Sequence, residues 1–404
     1  MRVMKSTMAD PKETVPLVVQ ITVASLCRVL LNTARRFPYP FSPALSRGLG
    51  VPLAAVTSLI AANQVTGLLS LVFGPLADRW GFRVMLISGL AFLATGMLGG
   101  GLFPYYSVVL IGLFLAGVGK SSFDPALLAY VGEHVPFRRR GLFVGFMETA
   151  WAASTLVGVP LVGLLIARLG WRAPFFAIGF LALAGMGTLA LLIPKRRKNS
   201  GPSAPRLAMA VAWRKLLRRR PCLGILGFSF FISIANDNFF VVYGAWFEQA
   251  FHLSVVALGM TASAIGGAEL LGEALTASFG DRFGLRRSMI AGLTLSTGSY
   301  LLLPLLGGSL PGAMAALFSV FLFTEFAIVA ALSLSTEVLP EARATMMSGY
   351  LAAASLGRVL GALMGGFLWS AGGLTTVALV SASINTLAML SFLWGLRFWD
   401  SAGT

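Results

Sequence analysis

The amino-acid sequence predicts an all-α integral membrane protein whose twelve transmembrane helices form two six-helix bundles. Three observations predict this fold: long apolar runs, basic residues placed mostly on one side, and an internal duplication. Of the 404 residues, 57% are hydrophobic and 11% are charged, whereas soluble domains carry about 25% charged residues. Because a water-soluble surface cannot be built from this composition, we expect the apolar runs to cross a bilayer.

Twelve hydrophobic stretches are long enough for a crossing, since about 20 helical residues span the roughly 30 Å of hydrocarbon in a bilayer. We number these predicted helices 1 to 12 in chain order. They cover residues 15–44, 52–77, 83–103, 105–131, 141–167, 172–193, 221–248, 255–279, 286–306, 312–338, 344–370 and 373–396.

The basic residues predict the topology. The formal net charge is +16, and most lysines and arginines fall in segments on one side, while only Arg47, Arg168 and Arg172 fall in loops on the other. This asymmetry follows the positive-inside rule. We therefore expect a multi-pass protein of the inner (cytoplasmic) membrane with both termini in the cytoplasm. The excess charge then contacts anionic lipid, and no groove-reading motif supports a nucleic-acid partner.

The two halves of the chain look like copies of each other. A shift of about 203 residues brings the segment 78–83, DRWGFR, onto the segment 281–286, DRFGLR. The long polar stretch near mid-chain then reads as a cytoplasmic linker, part of which forms a helix lying either along the membrane surface or in solvent. The predicted units are an N-terminal bundle at residues 1–193, the linker at 194–220 and a C-terminal bundle at 221–404.

The segment 74–83, GPLADRWGFR, resembles the signature loop between helices 2 and 3 of the major facilitator superfamily. The resemblance implies the two-bundle fold of that family, with a substrate near the bilayer midplane between the bundles. It also implies that this loop and its copy steady one conformation of an alternating-access cycle. The alternative interpretation is a basic loop that only sets the topology. The gating residues predicted on this basis are Gly74, Asp78, Arg79, Gly81, Arg83, Asp281, Arg282, Gly284 and Arg286.

Within the superfamily, the motifs are closest to the twelve-helix group that exports drugs and metabolites in exchange for protons. The segment 158–163, GVPLVG, resembles the glycine-proline motif in the fifth helix of that group, although Val159 separates the glycine from the proline. The segment 117–119, GVG, matches the end of the fourth-helix motif, although Leu113 stands where that motif has arginine. The resemblance implies proton-coupled export, and these departures leave the usual proton relay unassigned.

Polar side chains recur on one face of predicted helix 1, at spacings of three and four residues, and helix 7 carries a matching stripe. A charge at bilayer depth costs from about 2.5 kcal/mol upward, so such groups face a wet cavity or a partner. We expect Arg35 or Arg36 to hold an anionic group of the substrate. The predicted substrate-binding residues are Arg28, Asn32, Arg35, Arg36, Tyr39, Asn236, Tyr243 and Arg358.

Acidic residues within the predicted helices are candidates for proton coupling. Glu269 and Glu273 lie one turn apart, and two neighbouring carboxylates resist ionising together. The alternative is a structural role, in which Lys120 pairs locally with Asp124 and Glu148 complements a helix dipole or loop arginines. The predicted proton-coupling residues are Asp124, Glu148, Asp237, Glu269, Glu273 and Glu325.

Together these patterns predict a secondary active transporter that exports a small organic solute, anionic or amphipathic, by proton-coupled alternating access. The alternatives are uptake or exchange of an organic anion, movement of a lipid headgroup, and a transporter-like receptor. No nucleophile with a neighbouring base supports an enzyme, and no histidine and cysteine spacing supports a metal site. No cofactor is expected. We expect a monomer whose partners are the solute, protons and the lipid bilayer.

Overall fold

The computed structural model describes residues 16–135, 137–194, 206–339 and 343–397, and within these ranges all regular structure is helical. In this part of the chain, eleven helical stretches are long and apolar enough to cross a membrane. The last of them, Thr345–Gly395, contains two crossings, as its broken backbone shows below. The predicted all-α membrane fold is therefore confirmed.

The first half of the chain contains two short irregular turns that continue a crossing. A 3₁₀ turn, Thr66–Leu69, joins α3 to α4, and a π-helical turn, Ser154–Gly158, joins α7 to α8. The helices of this half are α1 Leu17–Arg36, α2 Ser42–Leu49, α3 Leu53–Val65, α4 Ser70–Trp80, α5 Phe82–Leu102, α6 Tyr106–His134, α7 Phe137–Ala153, α8 Val159–Leu169 and α9 Ala173–Leu192.

The second half begins with a short helix that precedes its first crossing. Its helices are α10 Arg206–Arg218, α11 Arg220–Phe240, α12 Tyr243–Phe251, α13 Val255–Phe283, α14 Leu285–Leu306, α15 Leu310–Val338 and α16 Arg343–Gly395. We call the end that carries Gly81, Gly284 and α10 the linker end. The opposite end, which carries α2 and α12, is the distal end.

Two predicted helices are wrong as continuous elements. The predicted helix at 15–44 is divided into α1 and α2 by a turn that contains Pro38 and Pro40, neither of which can donate a helical backbone hydrogen bond. The predicted helix at 221–248 is divided into α11 and α12 at the matching point of the second half, although no proline stands there. The shared position of the two breaks extends the duplication from the sequence to the fold.

The 53 residues of α16 form two crossings. A straight helix of that length would measure about 80 Å, far more than the roughly 30 Å of hydrocarbon. Gly372 and Gly373 have non-helical backbone angles, and Gly373 has a φ of 62°, in the left-handed region that favours glycine. The break separates the predicted helices at 344–370 and 373–396, as the sequence indicated.

Glycines at corresponding positions have the same structural role in both halves. Gly81 and Gly284 precede α5 and α14 with φ values of 88° and 80°. Gly89 of α5 lies against the backbone of α6, and Gly292 of α14 lies against the backbone of α15. A side chain at either position would meet backbone atoms. These glycines therefore allow the close helix contacts on which packing in lipid depends.

Three glycines at four-residue spacing pack α16 against α11. Any Cβ atom at Gly357, Gly361 or Gly365 would collide with carbonyl oxygens of α11. Such stripes of small residues let helices approach closely where no hydrophobic force drives them together. Gly361 also lies against Asp237, so this contact positions a charged residue of the site described below.

Replacing Gly361 by leucine should destabilise the protein, because the side chain has no space between α16 and α11. Overpacking of this kind costs roughly 1–3 kcal/mol. Gly187 of α9 is the matched control, since it has no neighbouring atoms within 4 Å in the direction of a side chain. The measurement is the melting temperature of both leucine variants in a neutral detergent, and equal values for the two would contradict the packing argument.

The linker helix α10 lies against the linker end of the second bundle. Leu216 is fully buried there and Trp213 packs against the same apolar cluster, beside Gly349 of α16. Arg214 and Lys215 remain exposed. The helix predicted within the linker is present, and two apolar side chains hold it to the protein.

Candidate functional site

Direct contacts between the two bundles close the distal end. Arg47 of α2 donates hydrogen bonds of 2.9 and 2.8 Å to the carboxylate of Glu248 in α12, and these bonds raise the pKa of the Arg47 guanidinium above its ordinary value. Gly244 of α12 lies against the backbone of Pro40. A solute cannot pass this end unless the two bundles separate.

Between the bundles lies a cavity with a volume of about 50 Å³, smaller than the roughly 300 Å³ or more of a site occupied by a small organic ligand, so the bundles must move apart to admit one. Both bundles supply its walls, and three arginines face three carboxylates. The charged lining residues are Arg35, Arg36, Asp237, Glu269, Glu325 and Arg358, and the others are Tyr39, Gln64, Trp151, Asn236, Phe240, Phe321, Thr324 and Ile328.

A buried ion pair joins the two bundles at the cavity. Arg36 of α1 donates from Nη1 to Oε2 of Glu269 in α13 at 2.8 Å and from Nη2 to Oε1. Each side chain is only 6% exposed. Arg36 also donates to Thr155, and its guanidinium lies 4.1 Å from the ring centroid of Trp151. Because Arg36 makes two bonds to one carboxylate, its positive charge is compensated by the negative charge of Glu269 in this conformation.

A second chain of hydrogen bonds crosses the cavity near Asp237. The Tyr39 hydroxyl donates to Oδ1 of Asp237 at 2.7 Å and accepts from Nε2 of Gln64 at 2.5 Å. Arg35 in turn donates to Oε1 of Gln64. On the other side, Nε of Arg358 lies 3.9 Å from Oδ2 of Asp237, too far for a hydrogen bond. Asp237 therefore accepts a bond from a neutral hydroxyl and has only a loose contact with a cation.

Glu325 of α15 is the lining carboxylate with no hydrogen bond or ion pair among the described residues. Its Cβ atom lies over Gly272 of α13, between Glu269 and Glu273. Glu325 is half-buried, and a charged carboxylate that is partly withdrawn from water without a partner is costly. Glu325 is consequently the group whose charge depends most on what else the cavity holds.

A separate ionic cluster lies within the first bundle, closer to the linker end. Arg28 donates to Asp124 at 3.1 Å and to Glu148 at 3.0 and 3.3 Å. Lys120 donates to Asp124 at 2.6 Å and to Asn32 at 2.5 Å. Two cations thus face two carboxylates. The carboxylate exposure is 22% for Asp124 and 49% for Glu148, so accessibility rises from the cavity toward the linker end.

Aromatic rings form an apolar wall of the cavity. Tyr39 stacks on Phe240, with 4.1 Å between the ring centroids, and Phe321 meets Phe240 edge-on at 4.9 Å. Trp151 lies beneath Arg36 and 5.6 Å from Nζ of Lys120, within the range of cation–π attraction. The cavity therefore offers a flat aromatic surface beside its charges.

The structure brings together many of the residues predicted for the site. Five predicted substrate-binding residues, Arg35, Arg36, Tyr39, Asn236 and Arg358, line the cavity, as do the predicted proton-coupling residues Asp237, Glu269 and Glu325. Others lie outside it: Tyr243 is buried behind Phe240, Glu273 lies one turn beyond Glu269, and the remaining four form the cluster of the first bundle. These four are Arg28, Asn32, Asp124 and Glu148. Their roles in binding and coupling stay predictions.

The predicted gating residues are only partly described. Gly74 lies within α4, and Gly81 and Gly284 begin the helices that follow the two loops. Arg83 is half-buried and Arg286 is exposed. The side chains of Asp78, Arg79, Asp281 and Arg282 lie outside the described part of the structure, so the gating role stays a prediction.

Sequence reasoning missed several neutral residues in and beside the cavity. Gln64 links Arg35 to Tyr39, Thr155 accepts a bond from Arg36, and Trp151 lies beneath that guanidinium. The adjacent polar residues Asn63 and Gln64 interrupt the apolar run 52–77 and are the signal that could have identified Gln64. Trp151 and Thr155 carry no such signal, because apolar and hydroxyl residues are common in membrane helices.

Comparison with known proteins agrees with this architecture. The chain is 26% identical over 302 residues to the uncharacterized MFS-type transporter YceJ of Bacillus subtilis, covering 75% of this chain and 76% of the relative. It is 27% identical over 273 residues to the multi-drug resistance efflux pump PmrA homolog of Lactococcus lactis, covering 65% and 66% of the two chains.

A crystal structure of a bacterial homologue of the human lysosomal transporter Spinster, inward-facing and unoccupied, superposes with a TM-score of 0.80 at 14% identity. The alignment covers 95% of this chain and 99% of that one, and it shows a shared fold. The sequence profile described as Major Facilitator Superfamily matches residues 24–267 and 225–403. With twelve crossings in the part of the chain that the structure describes, two related bundles and a charged cavity between them, the chain belongs to the major facilitator superfamily.

Proposed function

We propose that this protein is a secondary active transporter that moves a small organic solute, anionic or amphipathic, through the central cavity in exchange for protons. The observation that carries the proposal is the cavity itself, where charged residues from both bundles share one space. Ionisable side chains at membrane depth are expensive and mark substrate or ion pathways. Glu325, which has no cation partner in the described structure, is the proposed proton site.

Alternating access follows from the closed distal end. The contacts of Arg47 with Glu248 and of Arg36 with Glu269 both join the two bundles, while side-chain exposure rises toward the linker end. If both contacts broke and the linker end closed, the cavity would become accessible from the distal side of the membrane. We further propose a monomer in the inner membrane with the linker end and both termini in the cytoplasm.

Export is the direction we propose, because the chain resembles the efflux pump homolog of Lactococcus lactis over about two thirds of its length. Uptake or exchange of an organic anion is the second candidate. The observation that favours it is the presence of Arg35 and Arg358 in the cavity without a carboxylate at hydrogen-bond distance in the described structure.

The test is transport by the purified protein in liposomes with an imposed pH gradient, using a panel of aromatic acids, amphipathic dyes and neutral analogues. We expect the gradient to drive accumulation of at least one class, and a protonophore to abolish it. Export corresponds to solute movement against the direction of proton flow. If no solute in the panel moved faster with the gradient than without it, proton coupling would be refuted.

A further inference from the structure

We infer that Arg35 and Arg358 form a clamp that binds a single anionic group, a carboxylate in the first instance, of a solute with an aromatic body. The inference rests on the proposed function, because it assigns a substrate class to the same cavity. The clamp draws one arginine from each bundle: Arg35 lies in α1 and Arg358 lies in α16.

The two guanidinium groups line one cavity from different bundles. They are close enough for their like charges to repel. Asp237 is the carboxylate near both of them. Asp237 accepts its hydrogen bond from Tyr39 and lies beyond hydrogen-bond distance of Arg358, so an anion placed between the two guanidinium groups could bond to both.

Neither guanidinium has all of its N–H donors bonded among the described residues. Arg35 donates to the neutral side chain of Gln64, and Arg358 lies 3.9 Å from Asp237, whose other oxygen accepts from Tyr39. Guanidinium groups bind carboxylates most strongly through short paired hydrogen bonds. The Arg358 side chain remains 31% exposed, so it is accessible to a solute in the cavity.

The other described cations near the cavity already have carboxylates at hydrogen-bond distance. Arg36 makes two bonds to Glu269, Arg28 is held by Asp124 and Glu148, and Lys120 is held by Asp124. An incoming anion would have to displace these partners. Arg35 and Arg358 can instead accept an anion with a gain, since it relieves their repulsion.

A bound solute would also contact neutral side chains of the lining. The hydroxyl of Thr324 is 3% exposed and lines the cavity, near the hydroxyl of Tyr300. The stacked rings of Tyr39 and Phe240 lie on the same cavity. A carboxylate between the two arginines would place an attached ring against this aromatic surface, where ring pairs attract each other. The chemistry of the lining thus suits an aromatic monoanion, which would enter when the cavity opens.

The experiment uses three isosteres that differ in charge: benzoate, the neutral benzamide and the cationic benzamidine. Binding to the purified full-length protein in a neutral detergent is measured by calorimetry and by the shift in melting temperature. We expect benzoate to bind roughly tenfold or more tightly than benzamide, and benzamidine to bind most weakly. The variants Arg35→Gln and Arg358→Gln should each remove this preference, whereas Arg168→Gln, an exposed residue at the distal end, should keep it.

A second measurement separates a clamp from a structural role. Since the two arginines repel each other when no anion is bound, either glutamine variant should melt at the same or a higher temperature than the parent without ligand, and should gain nothing from benzoate. A structural arginine would show the reverse, with a lower melting temperature and an unchanged response to benzoate.

Three results would overturn the clamp: equal affinity for benzoate and benzamide, tighter binding of benzamidine, or an unchanged benzoate preference in both variants. Absence of benzoate binding at millimolar concentration counts against it as well. In each case gradient-driven transport of an amphipathic solute that has no anionic group would leave the proposed function standing. Conversely, a functioning clamp without gradient-driven transport would refute the proton coupling alone.

Discussion

Replacing Arg36 by glutamine should lower the free energy of unfolding by roughly 3–5 kcal/mol at pH 8, the cost of breaking a buried ion pair by removing one partner. Glu269 would lose both of its bonds from Arg36. It would then lie near Glu325 and Glu273 without the cation that compensates them. Chemical unfolding of the variant and the parent in mixed micelles measures the difference.

The exposed pair between Arg47 and Glu248 is a matched control, because it also joins the two bundles through two hydrogen bonds. The Arg47 side chain is 61% exposed, and exposed ion pairs contribute about 1 kcal/mol or less. Arg47→Gln should therefore change stability little. The double variant Arg36→Gln with Glu269→Gln should recover most of the loss, since it removes both charges of the pair together. Equal losses in Arg36→Gln and Arg47→Gln would contradict the argument from burial.

Much of the fold could be predicted because its causes are local in the chain. Each crossing needs about 20 apolar residues, and the basic residues in the loops between crossings predict which loops lie on the same side of the membrane. The turn after α1 was readable from Pro38 and Pro40, although the predicted helix at 15–44 ran through it. The matching turn at Val241 and Val242 contains no proline or other residue that would predict it, since valine is common in membrane helices.

The site could be predicted only in part, because its pairings join distant helices. Helical spacing places Arg28 and Arg36 on one face of α1, and from the sequence they look equivalent. In the structure Arg28 pairs within its own bundle, with Asp124, 96 residues away, whereas Arg36 pairs with Glu269, 233 residues away in the other bundle. The choice between a structural pair and a contact across the cavity depends on how the two bundles face each other. No periodicity in a single helix contains that information.

Replacing Glu325 by glutamine should abolish solute accumulation driven by a pH gradient while leaving solute exchange across the membrane. The charged groups near Glu325 come from three helices. They are Glu269 and Glu273 of α13, Arg36 of α1 and Arg358 of α16. Tyr350 of α16 is a further titratable neighbour. Arg36 and Glu269 compensate each other through their two hydrogen bonds. Two carboxylates, Glu325 and Glu273, then remain near the single cation Arg358, so the net charge of this group is negative. A proton on Glu325 removes one negative charge from this group.

Glutamine has the shape and the neutral charge of a protonated Glu325 but cannot ionise. The variant should therefore behave like a protein whose residue 325 is always protonated. The cycle can then carry solute in both directions but cannot extract work from the gradient. Exchange of labelled for unlabelled solute in liposomes should persist in Glu325→Gln and should lose its dependence on pH. Glu133→Gln is the control, because Glu133 is exposed near the linker end of α6 and should leave accumulation intact.

The opposite outcome is equally informative for the mechanism. If Glu325→Gln accumulated solute as the parent does, the coupling proton would have to reside on another carboxylate of the cavity. Asp237 would be the remaining choice, since Glu269 is bonded twice to Arg36 and Asp237 has only the Tyr39 hydroxyl and a loose contact with Arg358. A proton on Asp237 would leave Arg35 and Arg358 without their shared carboxylate. Proton binding and anion binding would then reinforce each other at the two arginines, and the anion would move with protons, as in the uptake named as the second candidate, not in exchange for them.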